Sequence, residues 1–169
     1  GAVTSEYSYN IYGSPISQKD SYGTVTTIEY DDLNRHTTYN MPNGGTQEIE
    51  YNTANKYTIV TDAAGVVTKY EIDGLGRNKA KYIKYGTSYK KVEDYTYDST
   101  GRLSSKKTYR DTNQGTNEVY QYDIIDRVTS KSVYELPNKL LYVENYSYNN
   151  DATQSEITKT ITSEGLTTA

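Results

Sequence analysis

The chain has 169 residues, 21 of them Tyr and none Phe, Trp or Cys, with 34% hydrophobic residues and a formal net charge of −4. Absence of cysteine excludes disulfide staples and thiolate metal sites. An acidic balance without a basic stripe argues against a nucleic-acid surface, and no apolar run approaches the ~20 residues of a membrane-spanning helix.

From the amino end the chain repeats itself. An acid or amide follows a Tyr/Ile-bearing triplet at Asn10, Asp31, Asn52, Asp73, Asp98, Asp123 and Asn149, at spacings of 21, 21, 21, 25, 25 and 26 residues. The first triplet, Tyr7-Ser8-Tyr9, alternates apolar and polar positions, as a strand with one Tyr/Ile face must. Ile28-Glu29-Tyr30, Ile49-Glu50-Tyr51, Tyr70-Glu71-Ile72, Tyr95-Thr96-Tyr97, Tyr120-Gln121-Tyr122 and Tyr146-Ser147-Tyr148 keep that alternation before the later anchors. Three residues after the anchors come Gly13, Asn34, Asn55, Gly76, Gly101, Asp126 and Ala152. All but Ala152 tolerate positive φ well. An Asx side chain at the first position can bond the turn backbone, so Asp31 with Asn34, Asp73 with Gly76, Asp98 with Gly101 and Asp123 with Asp126 read as structural turns. Each is expected to be a type I turn closed by a left-handed residue, with a looser one at Ala152.

A second turn alternates with the first, at Asp20–Gly23, Met41–Gly44, Asp62–Gly65, Thr112–Gly115 and Thr162–Gly165. Insertions near residues 86–94 and 135–142 lengthen this second turn or its flanking strands. The expected fold is therefore all-β: a repetitive antiparallel hairpin meander of roughly 14 strands, with two strands per unit, built as one array over residues 1–169. Its core is expected to be thin or wet, because each deeply buried tyrosine carries a hydroxyl that wants a partner. Both ends read as parts of further units, so the expectation is a piece of a longer array whose cut sheet edges invite self-association.

The stretches "YDDLNR", "TDAAGVVTKYEIDGLGR", "YDSTGRLSSKKTY" and "YDIIDRVTSKSVY" resemble Tyr-Asp (YD) repeats, also called rearrangement-hotspot (RHS) repeats. The resemblance spans essentially the whole chain. It implies a β-ribbon that curves and spirals into a hollow shell. In bacterial family members the shell holds a C-terminal toxic domain, and many members are secreted or sit on the cell surface. It implies neighbouring repeats and an enclosed toxin cargo as partners. The block with which family members plug the shell and self-cleave has no counterpart here, so the expected role is a length of wall.

His36, the only histidine, shares its place in the repeat with Tyr57, Asn78, Leu103 and Val128, which marks a variable strand position rather than a catalytic base. Arg35, Lys56, Arg77, Arg102 and Arg127 recur four residues after an anchor. Equivalent copies suit repeated structure, each cation pairing with an acid or packing over a tyrosine, and not a single pocket. The tyrosine pairs Tyr95/Tyr97 and Tyr120/Tyr122 are the strongest candidates for a ligand surface, because rows of Tyr can stack on sugars. Their bland alternative is a packing ladder between strands. No cofactor and no enzymatic constellation is expected. The leading function is a non-enzymatic structural module of a secreted or bacterial cell-surface protein, and the alternative is a carbohydrate-binding or adhesion module.

Overall fold

The computed structural model describes residues 5–149 and 154–161; of the side chains in the last stretch it describes Thr158 alone. The expected turns at Ala152 and Thr162–Gly165 lie outside the described residues. Every described element is a strand: β1 (Glu6–Tyr9), β2 (Pro15–Lys19), β3 (Val25–Tyr30), β4 (His36–Asn40), β5 (Thr46–Asn52), β6 (Tyr57–Thr61), β7 (Val67–Ile72), β8 (Asn78–Tyr85), β9 (Ser88–Tyr97), β10 (Leu103–Asp111), β11 (Gln114–Tyr122), β12 (Val128–Glu135), β13 (Lys139–Tyr148) and β14 (Gln154–Ile161). They follow one another in space in the order of the chain, without a crossover, and the registered pairs are antiparallel. This is the meander that alternating Tyr/Ile and polar residues between short turns dictate.

By their contacts the residues fall into two compact units, one reaching to Arg77 and including Tyr82–Lys90, the other made of Asn78–Lys81 with the chain from Lys91 onward. In the first unit β1–β7 are four to seven residues long. Both kinds of turn use the same chemistry there. Asp20 Oδ1 accepts from the amides of Tyr22 and Thr24, and Asp62 Oδ1 from those of Ala64 and Val66. Gly23 and Gly65 close the two turns at φ +83° and +79°.

In the second unit β10–β13 run for eight to ten residues. The insertions have gone into strands, and the second turns have shrunk to tight connections at 112–113 and 136–138. Gly115 is therefore not the turn residue that the repeat spacing suggested. It lies inside β11, opposite Tyr109, where the register slips past Arg110. A Cβ on Gly115 would stand 1.9 Å from the carbonyl oxygen of Thr108. Only glycine lets the two backbones approach so closely, a common reason for Gly at a bulge.

One further turn departs from the pattern. After Asn52 the left-handed residue is Lys56 (φ 53°), not Asn55, and the loop is one residue longer. Among the described side chains only Ala80 and Val133 are buried hydrophobics, and none of the large ones is fully enclosed. With so little burial, cohesion rests on backbone ladders and on polar links between side chains of successive strands.

Candidate functional site

The sequence singled out four turns and two tyrosine pairs, and the structure joins turns and tyrosines into one repeated network. At Asp98 the carboxylate Oδ1 accepts from the amides of Thr100 and Arg102, at 3.0 and 2.9 Å, and from the Thr100 hydroxyl. Its Oδ2 accepts from Arg102 Nε at 2.7 Å. Asp31, Asp73 and Asp123 repeat the arrangement with Arg35, Arg77 and Arg127, whose Nε atoms donate at 2.7, 2.7 and 2.6 Å. The left-handed closing residues include Asn34 (φ 58°), Gly76 (79°), Gly101 (94°) and Asp126 (67°).

Charge follows geometry. The guanidinium of Arg102 holds the Asp98 carboxyl far below the usual carboxylate range. The Arg35 side chain does the same at Asp31, and the backbone amide of Arg77 leads at Asp73. At Asp123 desolvation works in the opposite direction, but the amide and side chain of Arg127 outweigh it. Hydrogen bonds to the charged form depress a carboxyl pKa in this way. All four acids are fixed anions occupied by their own turn, which leaves none of them poised for general acid–base work.

Arg35, Arg102 and Arg127 also reach the next repeat. The guanidinium carbon of Arg35 lies 4.1 Å from the centroid of the Tyr51 ring; Arg102 lies 4.8 Å from that of Tyr122, and Arg127 4.4 Å from that of Tyr148. Such cation–π contacts contribute ~0.5–1 kcal/mol at exposed sites. The hydroxyl of the covered tyrosine then donates back, to the carbonyl of the residue just after the arginine: Tyr51 to His36 at 3.1 Å, Tyr122 to Leu103 at 2.8 Å and Tyr148 to Val128 at 2.6 Å. Tyr97 makes the same bond to Asn78, and Tyr30 to Pro15. Adjacent turns are also bolted directly, since Arg102 Nη1 donates to Asp126 Oδ1 at 2.9 Å and to the carbonyl of Asp123 at 3.1 Å. His36 thus serves through its carbonyl, and its exposed side chain has no part in the network.

The other tyrosine of each pair belongs to a second network that sequence reasoning missed. Tyr120 donates to Glu118 at 2.6 Å, Tyr146 to Glu144 at 2.9 Å, and Tyr95 to Glu93. Lys131 pairs with Glu118 at 2.9 Å and Lys106 with Glu93 at 3.4 Å. The same lysines stand over Tyr120 and Tyr95. Burial, with the carboxylate of Glu118 second, pushes the Tyr120 hydroxyl well above its ordinary value. The signal was there to find, because Glu93 precedes Glu118, and Lys106 precedes Lys131, by the same 25 residues that separate Asp98 from Asp123. Across the strands Tyr95 faces Lys106 and Tyr120 faces Lys131, so each ring has a lysine directly opposite it. Among the described residues no group of three or more His, Cys, Asp or Glu is arranged to hold a metal ion.

No protein-family model matches the sequence, and no curated protein matches it. Solved structures do match its fold. The chain is similar to one in the crystal structure of TcdB2-TccC3-Cdc42, with a TM-score of 0.69 at 16% identity. It is also similar to one in the Photorhabdus luminescens Tc holotoxin pore carrying a mutated TccC3, with 0.70 at 17%, and to one in TcdB2-TccC3-TEV, with 0.64 at 16%. In each case 94% of this chain aligns and spans only 9% of the matched chain.

Proposed function

We propose that the chain is a stretch of wall in a YD-repeat (RHS) protein, one array of seven units that adds β-sheet to a shell enclosing a toxin cargo. The observation that supports this best is the Asp–Arg–Tyr network. Its acid, cation and aromatic ring lie in the turns and strand ends of successive repeats, and they hold each hairpin to the next. The fold likeness to chains of the TcdB2–TccC3 complexes points the same way. The role is mechanical and non-enzymatic, and the protein that contains the array acts after secretion.

The glycan-binding alternative has less to work with. The hydroxyls of Tyr95, Tyr97, Tyr120 and Tyr122 donate within the protein, and cations lie over Tyr95, Tyr120 and Tyr122. The test is protease protection in the intact parent protein. A closed wall shields the C-terminal domain from added protease, and deleting residues 5–149 exposes it. A C-terminal domain cut equally fast with and without these residues would rule the enclosing role out.

A further inference from the structure

At Tyr30 the network has a gap, and a cleft lies in it. The turn that precedes Tyr30 begins at Asn10, and the place four residues later, filled by arginine at 35, 77, 102 and 127, is Ser14. Ser14 Oγ accepts from Asn34 Nδ2 at 2.8 Å, and Asn34 Oδ1 accepts from Asn10 Nδ2 at 2.8 Å. These amides link the two turns, but they supply no charge. Among the described residues no cation lies over the Tyr30 ring, unlike Tyr51, Tyr122 and Tyr148. A cleft of about 580 Å³ opens there, walled by Tyr12, Ile16, Ile28 and Tyr30 and flanked by Glu29 and Asp32. Tyr30 is held in place through its hydroxyl bond to the carbonyl of Pro15. Glu29 and Asp32 are exposed, and among the described residues neither forms an ion pair.

We propose that this cleft receives an arginine side chain from a partner protein. The protein's own arginines show what such a ring accommodates, a planar guanidinium stacked at 4.1–4.8 Å from the centroid. Here the chain withholds that group, and Glu29 and Asp32, which line the cleft, bring carboxylates that form no ion pair among the described residues. A guanidinium satisfies both, because it stacks on an aromatic face and bonds carboxylates through its fork of donors. A neutral sugar would leave the carboxylates unanswered, and an anion would be repelled.

The probe is the peptide acetyl-Gly-Arg-Gly-amide, titrated into this chain with the tyrosine rings isotopically labelled for NMR. Saturable shifts at Tyr30 are expected with arginine, and none with the neutral citrulline peptide. Ser14→Arg fills the cleft from within and weakens the peptide roughly tenfold or more. Ser14→Ala loses the same hydroxyl but leaves the cleft open, and binds like the parent. Glu29→Gln with Asp32→Asn, two exposed changes, lowers affinity and flattens its salt dependence. Equal binding of the citrulline peptide, or full binding to Ser14→Arg, overturns the proposal. Tyr30 shifts that grow with protein concentration alone would assign the cleft to a second copy of this chain and overturn the separate partner.

Discussion

The two units solve the same problem with different means. In the first, strands of four to seven residues are closed at both edges by capped turns such as Asp20–Gly23 and Asp31–Asn34. In the second, strands of eight to ten residues carry the Glu–Tyr–Lys rows, and the capped turn survives on one edge only, at Asp98 and Asp123. Lengthening the strand makes room for side-chain links along it, and the far turn keeps only a single bond from the Thr112 amide to Asp111 Oδ1. The lesson is that the Asp-led turn alternating with tyrosine is the constant part, while strand length and the far turn are free to vary.

The comparison can be broken hardest at glycine. Gly115→Ala in the second unit forces a Cβ into the Thr108 carbonyl and should lower unfolding free energy by roughly 3 kcal/mol or more. Gly65→Ala in the first unit meets nothing within 4 Å and suffers only from its positive φ, at a cost of about 1 kcal/mol. Chemical denaturation midpoints read both. If the two substitutions cost the same, the bulge is not what sets the second unit apart.

The tyrosine links come next. Tyr122→Phe removes the bond to the Leu103 carbonyl and should cost about 1 kcal/mol. Ile72→Tyr, which restores the missing ring in the first unit, should change stability by less than ~0.5 kcal/mol. The preceding turn offers no arginine to cover that ring, and the Lys56 carbonyl already accepts from the Ile72 amide at 2.9 Å. A gain of 1 kcal/mol from that change would show that tyrosine acts without its cation.

The smallest expected effect is local and depends on pH. Asp98 and Asp123 have folded pKa values below the ordinary 3.8, so their contribution is present above that value. It is lost as pH falls through the depressed pKa. Below about pH 4 the amides of Arg102 and Arg127 should therefore lose protection relative to their intrinsic exchange rates. The amide of Ser14 donates to a side-chain amide oxygen, Asn10 Oδ1, which does not titrate there. It should keep its protection in the same hydrogen-exchange series. Parallel loss at all three would mean general acid unfolding and would deny the local account.

Strand parity and the unbroken meander were legible from the sequence, because the alternation of Tyr or Ile with polar residues fixes a face and short turns fix the pairing of neighbours. Turn chemistry leaves a trace too, since the cap from Asp98 to the amide of Arg102 spans only four residues. Three things were not legible. Tyr122 donates to a carbonyl 19 residues earlier, and that bond depends on register rather than on residue type. Gly115 keeps the same distance to its anchor as Gly65 does to Asp73, yet longer strands move the turn away from it. Lys56 takes the left-handed place at the cost of strain that any non-glycine residue bears there, an outcome that propensity for Asn55 pointed away from.

The in-order topology has a consequence for how such a chain comes into being. Each strand's hydrogen-bonding neighbours are the strands just before and just after it, so no segment must wait for a distant one. Sheets dominated by remote pairings fold slowly because the long loops must close first. Here each closure is one hairpin long. A polypeptide delivered end first, from a ribosome or through a narrow channel, can lay down its sheet at the pace at which it emerges, each finished hairpin serving as the template for the next.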